Sequence, residues 1–248
     1  MASPLEQFAI TRYTDFSMAG FDASFTNAAL FMLIATVLIW MFMFAGLRQS
    51  AIVPGRWQAA VESLYEFVVG MVHENIGPKG RAFIPFIFTL FLFILVLNLI
   101  GLLPFSFTVT SHLAVTFAFA VLIFAMCVVI GVAKHGFHFL ELFVPPNTPW
   151  PLLILIVPIE IISYLSRPLT LSIRLFANMT AGHILLKVFA GFIISLGAAG
   201  GALAFLFPVP LVMTVAFFVL ELLVAVVQAY VFALLTCIYL NDSINLSH

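Results

Sequence analysis

Charge is what this sequence has least of. Only 8% of its 248 residues are Asp, Glu, Lys or Arg, nine basic against ten acidic, for a formal net charge of -1. An ordinary soluble domain carries about 25% charged residues, so most of this chain cannot face water. The balance of signs excludes a nucleic-acid partner, because no basic patch is available to neutralise phosphates. Cysteine is nearly missing as well. Cys127 and Cys237 stand singly in apolar runs, which excludes a disulfide framework and the close spacings of zinc or redox motifs; both read as small core residues. No glycine-rich phosphate loop occurs, so nucleotide chemistry must belong to another subunit, and neither a cofactor nor a metal is expected on this chain. The N-terminal MASPLEQFAITRYTDF lacks the apolar core of a cleaved signal peptide.

What is present instead is oil. Hydrophobic residues make up 64% of the chain, 29 of them phenylalanine, and the mean hydropathy is +1.24. That composition specifies a polytopic membrane protein whose environment is the lipid bilayer. Five apolar segments are long enough to cross: Asn27–Gly46, Ala82–Leu103, His112–Ala133, Pro149–Ser195 and Phe207–Leu240. Between the first two, Trp57, Val61, Leu64, Val68 and Met71 recur at helical spacing, with Glu62, Glu66 and His73 opposite. This is the pattern of an amphipathic helix lying on the membrane surface. The expected fold is all-α, with about five crossing helices and one surface helix, in a single domain over residues 1–248.

The connections orient it. Arg48, Arg56, Lys79 and Arg81 follow the first span and Lys134 follows the third, whereas Arg12 alone lies on the opposite side. The positive-inside rule then puts the N-terminus outside and the C-terminus inside. The loop LPFSFTVTSHLA, which carries no Lys or Arg, and the loop after Ser195 are expected outside.

The last two segments are too long to stand upright. At 1.5 Å per residue, 47 and 34 residues extend about 70 and 51 Å against a hydrocarbon core of about 30 Å. They are expected to form a strongly tilted antiparallel hairpin, with Pro158 and Pro168 as kink points. The alternative is that Pro149–Ser195 crosses twice, turning near Pro168.

In such a hairpin, residues at one level have numbers that add to a nearly constant sum. A turn at the glycine cluster Gly197, Gly200 and Gly201 sets that sum near 400. His183 with Glu221, and Arg174 with Gln228, fall in that register, and Glu160 is expected level with Asn241 and Asp242. Glu160, Arg167 and Arg174 are spaced by seven on one face, and Asn178 follows Arg174 by one turn. Histidine and glutamate can exchange protons, whereas a guanidinium stays charged. Arg174 is therefore a fixed cation between an outer relay at His183 and Glu221 and an inner one at Glu160. Arg167 reads either as an interfacial side chain or as support for Arg174. His112 reads as an interfacial histidine or part of the outer mouth, and Lys187 as a cation reaching the outer interface.

The stretch SRPLTLSIRLFANMTAGH (Ser166–His183), the run VVQAYVFALLTCIYL and the segment NLIGLLP (Asn98–Pro104) resemble the membrane subunit a of rotary F-type ATP synthases. The arrangement of His183 and Glu221 is similar to that of the mitochondrial and alphaproteobacterial type. The resemblance implies that Arg174 faces a ring of c subunits bearing membrane-embedded carboxylates, with Gln228 as its polar partner and Asn178 lining the same site. It implies a proton-conducting stator subunit of the Fo sector, a part of the proton-transporting ATPase complex that also contains b-type peripheral stalk subunits. The expected place is a bacterial inner membrane, with the mitochondrial inner membrane as the alternative. The rival readings are a membrane subunit of another proton-coupled respiratory complex, or a transporter. The first wants paired deep histidines and the second internal repeats, and the sequence displays neither. Membrane-impermeant labelling of introduced cysteines is expected to reach the loop around Gly200 and the N-terminal residues while sparing Lys134 and His248. Reaction at position 248 from outside would mean a miscounted crossing.

Overall fold

A computed structural model describes residues 11–14, 17–18, 21–22, 24–48, 51–103, 106–136, 139, 144, 150–199 and 206–245. Among the described residues six α-helices carry the chain: α1 Asn27–Leu47, α2 Arg56–Ile76, α3 Ile84–Gly101, α4 Leu113–His135, α5 Trp150–Ala199 and α6 Pro208–Ile244. Ahead of α1, β1 (Arg12–Thr14) pairs antiparallel with β4 (Phe25–Thr26), and β2 (Ser17–Met18) with β3 (Phe21–Asp22). These strands were not expected from the sequence. Short 3-10 segments occupy Pro78–Phe83 and Val109–Ser111.

Among the described residues five helices, all but α2, are long and apolar enough to cross a membrane. In α1 and α3 apolar residues occupy every face, so no side is left for water. The amphipathic helix forms as expected, but its inner face is rotated. Gln58, Val61, Val68, Met71, Val72 and Ile76 are buried, while Trp57 is 65% exposed. Gln58 is tolerated inside because its amide is satisfied. It donates to the Ala51 carbonyl and the Glu62 carboxylate and accepts from the Ala51 amide. Glu62, Glu66 and Glu74 remain on the exposed side.

One unbroken helix of 50 residues runs through both Pro158 and Pro168, which overturns the alternative of two crossings. Proline removes one backbone donor per ring. Around Pro168 the hydroxyls of Ser166, Thr170 and Ser172 donate to the carbonyls of Ser163, Arg167 and Leu169, so these polar side chains satisfy themselves on their own helix. At about 75 Å for α5 and about 56 Å for α6, both helices exceed the hydrocarbon thickness and must tilt. Gly197 does not act as the expected turn. Gly197 stays inside α5, which ends at Ala199, and α6 begins at Pro208; Gly200, Gly201 and His138 lie outside the described residues.

The chain divides into two compact units. Unit one comprises Met1–Met41, Leu92–His112 and Leu175–Ala229. Its interior includes Leu97, Leu175, Met179, Ala225 and Ala229, with Phe31 against Phe107 and Phe189 stacked on Phe217. The expected outer loop is here part of the core: Ser106 to Ser111 are all buried. The hydroxyls make this possible, since Ser106 donates to the carbonyls of Ile100 and Leu103 and Ser111 to that of Thr108. Unit two comprises Phe42–Phe91, Leu113–Arg174 and Tyr230–His248. Phe232, Ile87, Ile123, Leu171 and Leu240 fill its interior.

Two glycines of unit two separate close packing from open space. A Cβ on Gly46 would stand 2.5 Å from Val61 Cγ2 and 3.2 Å from the Trp57 carbonyl oxygen, whereas one on Gly70 would meet nothing within 4 Å. Gly46→Ala is expected to destabilise the protein by about 1–3 kcal/mol through overpacking. Gly70→Ala is expected to stabilise it by about 0.5–1 kcal/mol, because alanine loses less entropy in a helix. Thermal unfolding of the purified protein in detergent checks the opposite signs.

Candidate functional site

Three buried polar side chains of unit one, His183, Glu221 and Gln228, stand on α5 and α6. His183 is 6% exposed and Glu221 4% exposed, and His183 Nδ1 lies 3.6 Å from Glu221 Oε1. Their numbers add to 404, so these two side chains face one another as the hairpin register requires. Deeper along the pair, Asn178 Nδ2 donates to Gln228 Oε1 at 3.1 Å, a sum of 406. The register therefore holds with a larger constant than 400, in keeping with α5 ending at Ala199 and α6 beginning at Pro208. The side chain bonded to Gln228 is Asn178, one turn beyond Arg174 on α5.

A separation of 3.6 Å is too long for a hydrogen bond. Neither carboxylate oxygen of Glu221 has a hydrogen-bond partner among the described residues. Leaving a buried carboxylate unserved is unfavourable by several kcal/mol unless a proton, water or cation reaches it, and such exceptions mark functional positions. Access exists. A groove of about 180 Å³ is lined by Asn178, Ala181, Gly182, Phe217, Glu221 and Val224, room for several water molecules. Gly182 opens it: a Cβ there would stand 2.6 Å from Glu221 Oε1 and 2.7 Å from Cδ.

Two contributors escaped the sequence reading. Asn98, fully buried on α3, donates from Nδ2 to the Ala225 carbonyl one turn past Glu221, and Thr108 Oγ1 lies 3.0 Å from His183 Nε2. An asparagine inside the apolar span NLIGLLP was the available signal for the first. The second has none in sequence, because a threonine in a short polar connection looks like any loop residue. His112 stacks on Phe107 with ring centroids 4.9 Å apart, and partial burial lowers its pKa, so at neutral pH the ring is held neutral.

Unit two holds the other candidates. Asp242 does not sit with Glu160. It accepts from Arg167 Nη1, whose guanidinium also lies 5.1 Å from the Tyr164 ring centroid and 5.3 Å from that of Tyr239. Glu160, expected level with Asn241 and Asp242, thus stands two helical turns from the residue that Asp242 engages, and Arg167 is a paired side chain. Glu160 is half-buried and Lys187, in unit one, likewise. Arg174 is exposed on α5 next to exposed Ile173, and among the described residues no hydrogen bond or ion pair engages it. The end of α6 is tied down: Lys134 Nζ and His135 Nε2 donate to the Ile244 carbonyl, and Lys79 Nζ to Asn245 Oδ1. The first two serve a carbonyl that a helix C-terminus leaves open.

The Gly182 slot is testable within one helix. Gly182→Ala is expected to push the Glu221 carboxylate away from His183 and to lower membrane proton conductance several-fold. Gly191→Ala, whose Cβ would meet nothing within 4 Å, is expected to leave conductance unchanged. Comparison of the two variants at equal membrane abundance decides whether Gly182 is there for room.

Comparison with known proteins agrees over nearly the whole length. Residues 29–241 match the family ATP synthase A chain. The ATP synthase subunit a of Rhodospirillum rubrum is 50% identical over 246 residues, covering 99% of this chain and 100% of its own. That of Mesorhizobium japonicum is 51% identical over 245 residues, covering 99% and 97%, and that of a Chelativorans species 53% over 245 residues, covering 99% and 98%. With the match reaching from α1 into α6, the chain belongs to the ATP synthase A chain family.

Proposed function

We propose that His183, Glu221, Asn178, Gln228, Arg174 and Glu160 divide a proton route into two half-paths joined only by a rotating ring. The chain is the proton-conducting subunit of the Fo sector, a membrane component of the ATP synthase complex. The observation that carries the finer reading is Glu221, a buried carboxylate without hydrogen-bond partners among the described residues, beside His183 and opening on a water-sized groove. A proton arriving from outside is taken up by this pair and passed toward a carboxylate of the c-ring. Once neutral, that carboxylate can turn into lipid, because the desolvation of a charge no longer opposes it. After nearly a full turn it gives up its proton toward the inner side near Glu160.

Arg174 makes the release directional. Its guanidinium stays protonated and favours the anionic form of any carboxylate that reaches it. It stands exposed on an oily helix face with no partner among the described residues, which suits an acid supplied by another subunit. Gln228 and Asn178 hold a neutral polar pair nearby in sequence and can hydrogen-bond the same acid without neutralising it. Arg167, held by Asp242 and two tyrosines, supports the inner half, and His112, held neutral, belongs to the outer mouth. Each proton crossing is worth about 2.3 kcal/mol per 100 mV. The full chain acts as one domain, with the N-terminus outside and the C-terminus inside a bacterial inner membrane, and b-type stalk subunits hold it against the ring's torque.

Arg174→Ala is expected to abolish both ATP synthesis and ATP-driven proton pumping in an assembled complex, because protons then pass between half-paths without rotation. Arg174→Lys is expected to fail largely, since an ammonium lacks the planar fork and can deprotonate in an apolar site. Coupled synthesis at the wild-type rate in assembled Arg174→Ala membranes would overturn this reading.

A further inference from the structure

The connection from α1 to α2 carries two of its oiliest residues at its tip. Ile52 is fully exposed and Val53 83% exposed, yet the segment is tied at both ends. The Ala51 amide donates to Gln58 Oε1 at 3.2 Å, and Gln58 Nε2 donates to the Ala51 carbonyl at 3.1 Å. Gln58 is buried and also donates to Glu62 at 2.8 Å, so Ile52 and Val53 are presented outward from a closed loop. An apolar tip held out in this way is favoured in an apolar medium. Its depth follows from the two helices. With 21 residues, α1 is about 31 Å long against a hydrocarbon core of about 30 Å, which puts Leu47 at one edge of the core. Exposed Phe44 and Leu47 continue the lipid-facing surface toward the tip. The start of α2 is held near the same level, because the Trp57 ring meets that of Phe42 edge-on with centroids 6.4 Å apart, and Gly46 leaves room for Val61 and the Trp57 carbonyl. Trp57 is itself exposed, as an indole at the membrane interface is.

Two cations flank the tip. Arg48 and Arg56 are exposed, and among the described residues no side-chain hydrogen bond or ion pair engages either guanidinium. Glu62, the acid within the clamp, is already taken by Gln58. An apolar wedge between two uncompensated cations, at the edge of the hydrocarbon, is complementary to acyl chains capped by negative headgroups. We propose that residues 48–57 form a membrane anchor in which Ile52 and Val53 enter the leaflet where α1 ends, while Arg48 and Arg56 hold the phosphates of anionic phospholipids around them. A guanidinium offers a phosphate two parallel donors, so these contacts select charged lipid over neutral lipid. The Gln58 clamp gives the anchor its rigidity, and the contacts of Trp57 and Val61 with α1 pass its depth on to α2. The leaflet is the inner one under the orientation proposed above, on which the inference rests only for its side.

The test uses the assembled ATP synthase complex with Ile52→Cys carrying a fluorescent label, in phosphatidylcholine vesicles of equal composition in both leaflets, with the complex lacking that cysteine and treated alike as blank. A small fraction of the lipid bears a quencher on its acyl chain, as phosphatidylcholine in one set and as phosphatidylglycerol in the other. The label is expected to be quenched by both lipids and spared by aqueous iodide. The phosphatidylglycerol quencher should be several-fold the more effective at low salt, and this preference should shrink as salt rises. Arg48→Gln with Arg56→Gln should make the two lipids equal; should that pair fail to assemble, Arg56→Gln alone should reduce the preference. Quenching by iodide would mean that the tip stands in water. Protection from iodide and lipid quenchers alike would mean that a protein covers it. Either result overturns the inference, as does an equal response to the two lipids with both arginines in place. A C-terminus found outside by impermeant labelling would instead move the anchor to the other leaflet and leave every quenching result standing.

Discussion

The register between α5 and α6 is the constraint on which every polar group in unit one depends. In hydrocarbon no water stands ready to serve an unpaired donor or acceptor, so a side chain such as His183 or Gln228 is tolerable only if the opposite helix presents the right group at the right level. A slip of one residue along α6 would rotate Glu221 by about 100° away from α5, since 3.6 residues complete a turn. The pair Asn178–Gln228, the pair His183–Glu221 and the bond from Asn98 to the α6 carbonyl of Ala225 would all be lost together. Polar contacts of this kind add little net stability in membranes. Their value is specificity: they select one register among several that apolar packing alone would accept.

The existence of that register was legible in the sequence because antiparallel geometry converts residue numbers into depth. His183 opposite Glu221 follows from the helix lengths and a turn near residue 200. The exact constant was not legible, since glycine marks a turn only where the chain needs it, and Gly197 is absorbed into α5 as an ordinary helical residue. Glu160 was expected level with Asn241 and Asp242 on the same arithmetic. The structure gives Asp242 to Arg167, and the choice is physically sensible: a bidentate-capable guanidinium flanked by two tyrosine faces is a better partner for a carboxylate than a second acid.

What remained hidden is the contribution of backbone geometry. The connection from Ser106 to Ser111 reads as a polar outer loop, yet it is buried, because serine and threonine can return their hydroxyls to nearby carbonyls and so remove themselves from the list of groups needing water. Trp57 shows the converse. Its size suggests the inner face of α2, but Gln58 takes that place, since the amide can satisfy itself on Ala51 and Glu62. In both cases satisfaction of hydrogen bonds, which depends on where the chain folds back, outweighs the hydrophobic ranking of the side chains.

Two glycines complete the site by what they omit. Gly182 lies within α5 against the Glu221 carboxylate, and Gly101 ends α3 against Thr108. A glycine inside a helix is unfavourable by roughly 1 kcal/mol relative to alanine, and neither position adopts a backbone conformation that demands glycine. Their common feature is that a polar side chain from another segment approaches the helix more closely than a Cβ permits. Lined up along the structure, Gly101, Thr108, His183, Glu221 and Gly182 form a continuous arrangement in which each glycine makes room for the polar group that addresses the next. The helical propensity given up at the two glycines is the physical reason that a histidine and a glutamate can meet, correctly oriented, inside a chain otherwise built of phenylalanine, leucine and valine.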